Sequence, residues 1–132
     1  LPLVSRTRVT STGWDAAALH PVFEAGRGTG VYPVTRVVRA SYPLIAGALD
    51  AGSRGIMAPM VESAAEARLL VESAKYPPLG RRGFGQIMTD DLAGGPAAYA
   101  DRSNREGLVI AQIESPAGIE NAEIEDWATA TT

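Results

Sequence analysis

Apolar residues along the chain alternate between two patterns, helical stripes with a period of roughly 3.6 residues and short unbroken runs, and this alternation sets the first expectation about the fold. In residues 15–26, Leu19, Val22 and Phe23 recur at helical spacing, and Gly26 stands where a helix would stop. Residues 31–38 (VYPVTRVV) are rich in β-branched side chains and follow Gly28 and Gly30, the pattern of a short buried strand. Pro43 then precedes Leu44, Ile45, Ala48 and Leu49, with Gly52 at the end. Proline at the start and glycine at the end match what helix termini need, so a second helix is predicted there. Residues 55–60 (GIMAPM) read as a second strand. Ser63 and Glu66 form a capping-box pattern ahead of Ala67, Leu70, Val71 and Ala74. Lys75 falls in the last turn of that third helix, where a cation complements the helix dipole.

Residues 76–95 hold Pro77, Pro78 and several glycines and are predicted to be a long loop. A polar surface helix over 96–106, a buried strand over 108–114 (LVIAQIE) and a helix opened by Ser115 and Pro116 follow. The order α-β-α-β-α-loop-α-β-α implies right-handed βαβ units, hence an α/β fold with a parallel sheet. Both a doubly wound sheet and a barrel satisfy this pattern. Three strands complete neither, and a full (β/α)8 barrel takes about 250 residues, so a chain of 132 residues reads as a fragment.

A net charge of −3 with interspersed signs offers no basic stripe, which argues against nucleic acid as a partner. The absence of cysteine removes thiolate ligands, thiol nucleophiles and disulfides, and fits a reducing, cytoplasmic setting. A metal would therefore need oxygen or nitrogen ligands. No apolar run is long enough to span a bilayer, and the start lacks both an initiator Met and the h-region of a signal peptide, so it looks truncated.

Working residues of parallel α/β folds gather at the C-terminal ends of strands. Here those positions hold Arg36, Pro59 with Met60, and Gln112 to Glu114. Arginine grips carboxylates and glutamate suits a hard cation, so the pair fits an anionic substrate with a divalent metal; a structural ion pair fits the same residues. Other motifs carry less. Residues 26–30 (GRGTG) follow a helix and precede a strand, the reverse of a phosphate loop, and read as a helix stop. The single histidine, His20, reads as a surface or packing residue, and residues 81–85 (RRGFG) as a solvated loop, with a mobile basic loop that contacts an anion or a neighbouring subunit as the alternative. Lys75, the single lysine, lies toward the opposite rim, which leaves a Schiff-base mechanism without its nucleophile in this segment.

Six blocks occur in order: residues 33–37 (PVTRV), 48–52 (ALDAG), 55–61 (GIMAPMV), 65–68 (AEAR), 76–85 (YPPLGRRGFG) and 111–115 (AQIES). Together they resemble the middle of the HpcH/HpaI aldolase and citrate lyase beta-subunit family, over roughly residues 33–125. The resemblance implies a partial (β/α)8 TIM barrel with about three of eight strands, a single incomplete domain over 1–132. Within it, 1–13 match poorly, 14–126 form barrel helices and strands, and 127–132 drift from the pattern.

The implied activity is a carbon–carbon lyase, the reversible aldol cleavage of a 4-hydroxy-2-oxo acid to pyruvate and an aldehyde with Mg²⁺, Mn²⁺ or Co²⁺. By the same resemblance, Arg36 steadies the enolate oxygen and binds substrate with Gln112, Glu114 is a metal ligand, and Asp50 moves protons with a histidine. The second metal carboxylate, beyond Thr132, and that histidine are not in the chain, which is therefore expected to be inactive alone; the complete protein is expected to be a homo-oligomer. A citrate-lyase-like enzyme acting on an acyl-CoA thioester and a non-catalytic barrel fragment are the alternatives.

Overall fold

The computed structural model describes residues 4–8, 16–85 and 94–122, with the backbone alone at 4–8 and 16. Strands β1 (Val4–Arg8), β2 (Tyr32–Arg36), β3 (Gly55–Ala58) and β4 (Leu108–Ala111) alternate with helices α1 (Ala16–Gly26), α2 (Tyr42–Asp50), α3 (Ala64–Ala74), α4 (Gly95–Glu106) and α5 (Pro116–Asn121). The sheet is parallel throughout, in the order β1-β2-β3-β4. The predicted tail over 127–132 and the middle of the predicted loop, 86–93, lie outside the described residues.

β1 corrects the expectation of three strands. Its sequence, VSRTR, carries two arginines rather than the unbroken apolar run of a buried parallel strand, yet all five residues pair with β2, from Val4 opposite Tyr32 to Arg8 opposite Arg36. The other strands stop short of their predicted ends, so Pro59, Met60, Gln112 and Glu114 lie just past the sheet.

Sequential strand order decides between the two architectures left open above. Right-handed crossovers between neighbours that never reverse direction place every helix on one face, whereas a doubly wound sheet reverses and covers both. The packing agrees. A single core joins Leu19 and Phe23 of α1, Ile45 and Leu49 of α2, and Ala67 and Leu70 of α3 to Ile56 and Ala58 of β3. The sheet is thus an arc of a singly wound barrel. On the opposite face Gly55 is squeezed between neighbours; a Cβ there would stand 2.9 Å from Leu108 Cβ and 3.1 Å from Val34 Cγ2.

Local chemistry behaves largely as the sequence predicts. Ser63 Oγ accepts the Glu66 amide at 3.2 Å, which satisfies one free donor at the start of α3, and the Glu66 carboxylate accepts the amide of Glu62, the residue before the cap, at 2.7 Å. Ser115 caps α5 through the Gly118 amide at 3.0 Å. Gly28 and Gly30, at φ 77° and 78°, end the turn after α1, consistent with a helix stop.

Two expectations are overturned. Lys75 is not in the last turn of α3 but caps it in extended conformation, and its ammonium donates to the carbonyls of Asn104 and Gly107 at 2.7 and 2.6 Å, serving the end of α4 instead. Residues 81–85 are not a simply solvated loop. Arg82 is buried, pairs with Asp50 at 2.6 Å, and lies with its guanidinium carbon 4.7 Å from the centre of the Tyr76 ring. Tyr76, fully buried, stacks on Phe84 at 4.5 Å, and burial pushes its hydroxyl well above its ordinary pKa. The basic run thereby anchors the segment to α2.

Candidate active site

Arg36 ends β2 and, with Val34 and Tyr32, points to the face of the sheet away from the helices, because alternate strand positions face alternate sides. Gln112 is one residue past β4 on the same face, and Glu114 two further on. Arg36 Nε donates to Gln112 Oε1 at 2.7 Å, and Arg36 Nη2 lies 3.5 Å from Glu114 Oε1. That same oxygen accepts the backbone N–H of Met60 at 3.3 Å. The ends of three neighbouring strands therefore converge at the C-terminal rim, and the side chains of Arg36 and Glu114 remain 22 % and 38 % exposed.

The arrangement presents a guanidinium whose Nε is fixed by an amide oxygen, which holds the plane of the cation, beside a partly solvated carboxylate. A fixed, partly desolvated cation stabilises an oxyanion or a carboxylate more than a mobile one does, since no reorganisation is needed when charge develops. Glu114 has the hard oxygen donors that a divalent cation prefers. It fits as one ligand, however, and not as a site: among the described residues no three His, Asp or Glu side chains group to hold a metal.

Asp50 is not part of this cluster. Helix α2 begins after the C-terminal rim and ends at the other, and Asp50 is its last residue, with Oδ1 on Arg82 Nη2 at 2.6 Å. His20 meets the adjoining Ala51 carbonyl through Nδ1 at 3.2 Å, in keeping with a packing role. Beside Arg36, Gln112 and Glu114 stands Met60, a non-glycine residue at φ 50° whose role no sequence motif marks. That left-handed conformation costs on the order of 1–2 kcal/mol. Its only trace in the sequence is position, two residues past the end of a strand and directly after Pro59.

The family model for HpcH/HpaI aldolase/citrate lyase matches residues 12–127. A 2-dehydro-3,6-dideoxy-6-sulfogluconate aldolase from Pseudomonas putida is 36% identical over 105 residues, which are 80% of this chain and 41% of that protein. A 5-keto-4-deoxy-D-glucarate aldolase from Escherichia coli (strain K12) is 34% identical over 109 residues, 83% of this chain and 43% of that protein. Among solved structures, an HpcH/HpaI aldolase from Desulfitobacterium hafniense DCB-2 superposes with a TM-score of 0.79 at 28% identity, over 96% of this chain and 49% of that one. The chain thus spans less than half the length of these relatives.

Proposed function

The chain belongs to the HpcH/HpaI aldolase/citrate lyase family, and from that premise we propose that the whole protein is a carbon–carbon lyase that cleaves a 4-hydroxy-2-oxo acid reversibly to pyruvate and an aldehyde. The observation that carries the reading is the convergence of Arg36, Gln112 and Glu114 at one rim. Loss of the hydroxyl proton from C4 lets the C3–C4 bond break, and the electron pair moves onto the 2-oxo oxygen as an enolate. The Arg36 guanidinium, held by Gln112, stabilises that oxygen; a proton returned to C3 gives pyruvate. A divalent cation, Mg²⁺, Mn²⁺ or Co²⁺, would polarise the 2-oxo acid when bound, with Glu114 as one ligand and a carboxylate from outside the described residues as another.

In this reading Asp50 moves no proton at the Arg36 cluster of its own chain, because the length of α2 separates the two. The 132-residue chain alone is inactive, since Glu114 is half of a metal site and a cation held by one carboxylate keeps most of its water. The whole protein acts on small molecules and assembles as a homo-oligomer. Among the described residues no helix is long and apolar enough to cross a membrane.

The test is coupled detection of pyruvate release from 4-hydroxy-2-oxo acids by the whole protein, with and without chelator. Release abolished by chelator and restored by Mg²⁺ or Mn²⁺ is the expected result. Full activity in chelator sinks the metal mechanism. Turnover confined to an acyl-CoA thioester identifies a citrate-lyase-like enzyme, and no turnover on either substrate identifies a non-catalytic barrel.

A further inference from the structure

The hydrogen-bond ladder between β3 and β4 carries one irregularity, and it falls beside Glu114. In parallel pairing each bonding residue of β4 gives its N–H to one carbonyl of β3 and takes an N–H from the residue two positions further along. Leu108 donates to the Arg54 carbonyl at 3.1 Å, and Gln112 donates to the Ala58 carbonyl at 2.9 Å, so the register is regular that far. The Gln112 carbonyl should next accept the N–H of Met60. It accepts the N–H of Val61 instead, at 3.0 Å.

One extra residue is therefore inserted past the end of β3, which is a β-bulge, and Met60 at φ 50° is the residue that makes it. Pro59, without an N–H, cannot continue a ladder on its other side. The N–H that the bulge withdraws from Gln112 is the one found on Glu114 Oε1, at 3.3 Å. The Met60 side chain, half exposed, makes no burial demand that would account for the conformation.

We propose that Met60 is a positioning residue, its left-handed backbone releasing one N–H from the sheet to hold the Glu114 carboxylate in place opposite Arg36. The proposal rests on the reading of Glu114 as a functional carboxylate but concerns how it is held, which is measurable without metal. An oxygen fixed from both sides, by Met60 N–H and by the Arg36 guanidinium, leaves the other carboxylate oxygen a defined direction in which to meet a cation or substrate.

The experiment uses the whole protein, metal-free, with amide hydrogen exchange followed residue by residue. In Glu114→Ala the Met60 amide should exchange about tenfold faster while the Val61 amide, still bonded to Gln112, is unchanged. Unchanged exchange at Met60, or equal acceleration at both amides, overturns the proposal. A second arm titrates Mn²⁺ into two variants. Met60→Gly accepts positive φ freely and should bind within about twofold of the parent; Met60→Val, β-branched and disfavoured at positive φ, should bind about tenfold more weakly. Where Glu114→Gln weakens Mn²⁺ binding, equal affinities in the two Met60 variants overturn the proposal. Glu114→Gln is the separate control on the functional reading: if it binds Mn²⁺ as the parent does, Glu114 is not a ligand, and the exchange result alone decides whether Met60 positions it.

Discussion

At the C-terminal rim Arg36 and Glu114 face each other at 3.5 Å with 22 % and 38 % of their side chains exposed, whereas Arg82 and Asp50 meet at 2.6 Å with 1 % and 15 % exposed. Both pairs join an arginine to an acidic residue, and the difference lies in what surrounds them. Arg82 lies against the Tyr76 ring, Phe84 stacks on the same tyrosine, and the Gly83 amide donates to Tyr42 Oη at 2.9 Å. Charge there is sealed by aromatic surface, so removing one partner strands the other in a medium that cannot solvate it. At the rim the pair stands in partial contact with water, held by Gln112 and by a bulged backbone. One pair fastens a segment of chain; the other leaves its charges available.

The sharpest way to break that contrast is Asp50→Ala, which leaves Arg82 buried without its counter-charge. Stability of the whole protein should fall by about 3–5 kcal/mol, read as a shift in the denaturant midpoint; a loss below ~1 kcal/mol would show that the pair is solvated after all. Next in size is Arg36→Lys. The substitution keeps the charge and loses the planar fork, so turnover should drop by about tenfold or more, with the melting temperature nearly unmoved. Unchanged turnover would reduce Arg36 to a structural ion pair.

Phe84→Ala should cost about 1 kcal/mol, because the ring stacks on Tyr76 yet keeps 52 % of its surface exposed. Thermal melting decides, and no change would mean that Arg82 alone fastens the segment. The smallest effect is expected for the stability of Glu114→Ala, within about 0.5 kcal/mol, as for other exposed ion pairs. A large loss in the same melting experiment would place Glu114 with the structural pair and erase the contrast.

Much of this was readable in the residues themselves. Helix caps at Ser63 and Ser115, the glycine stop after α1 and the apolar strands depend on neighbours a few positions apart, and short-range rules capture them. That Arg36, Gln112 and Glu114 stand together was legible because the C-terminal ends of neighbouring parallel strands share one rim whatever the sheet's curvature. β1 was not, since a strand of arginine, serine and threonine is defined by its pairing with β2 rather than by its own pattern.

The alternation of helix and strand, the caps that bound the helices, and the polar residues at strand ends all follow from the order of residues along the chain. Three features emerge once the elements pack together: the sheet is singly wound, Asp50 pairs with Arg82 and not with Arg36, and Met60 gives its N–H to Glu114. Each of the last two contacts joins residues 32 or 54 positions apart, Asp50 with Arg82 and Met60 with Glu114. Periodicity and capping act over a few residues. They place a side chain on its own helix or strand, and burial and hydrogen bonding across the assembled fold then choose its partner.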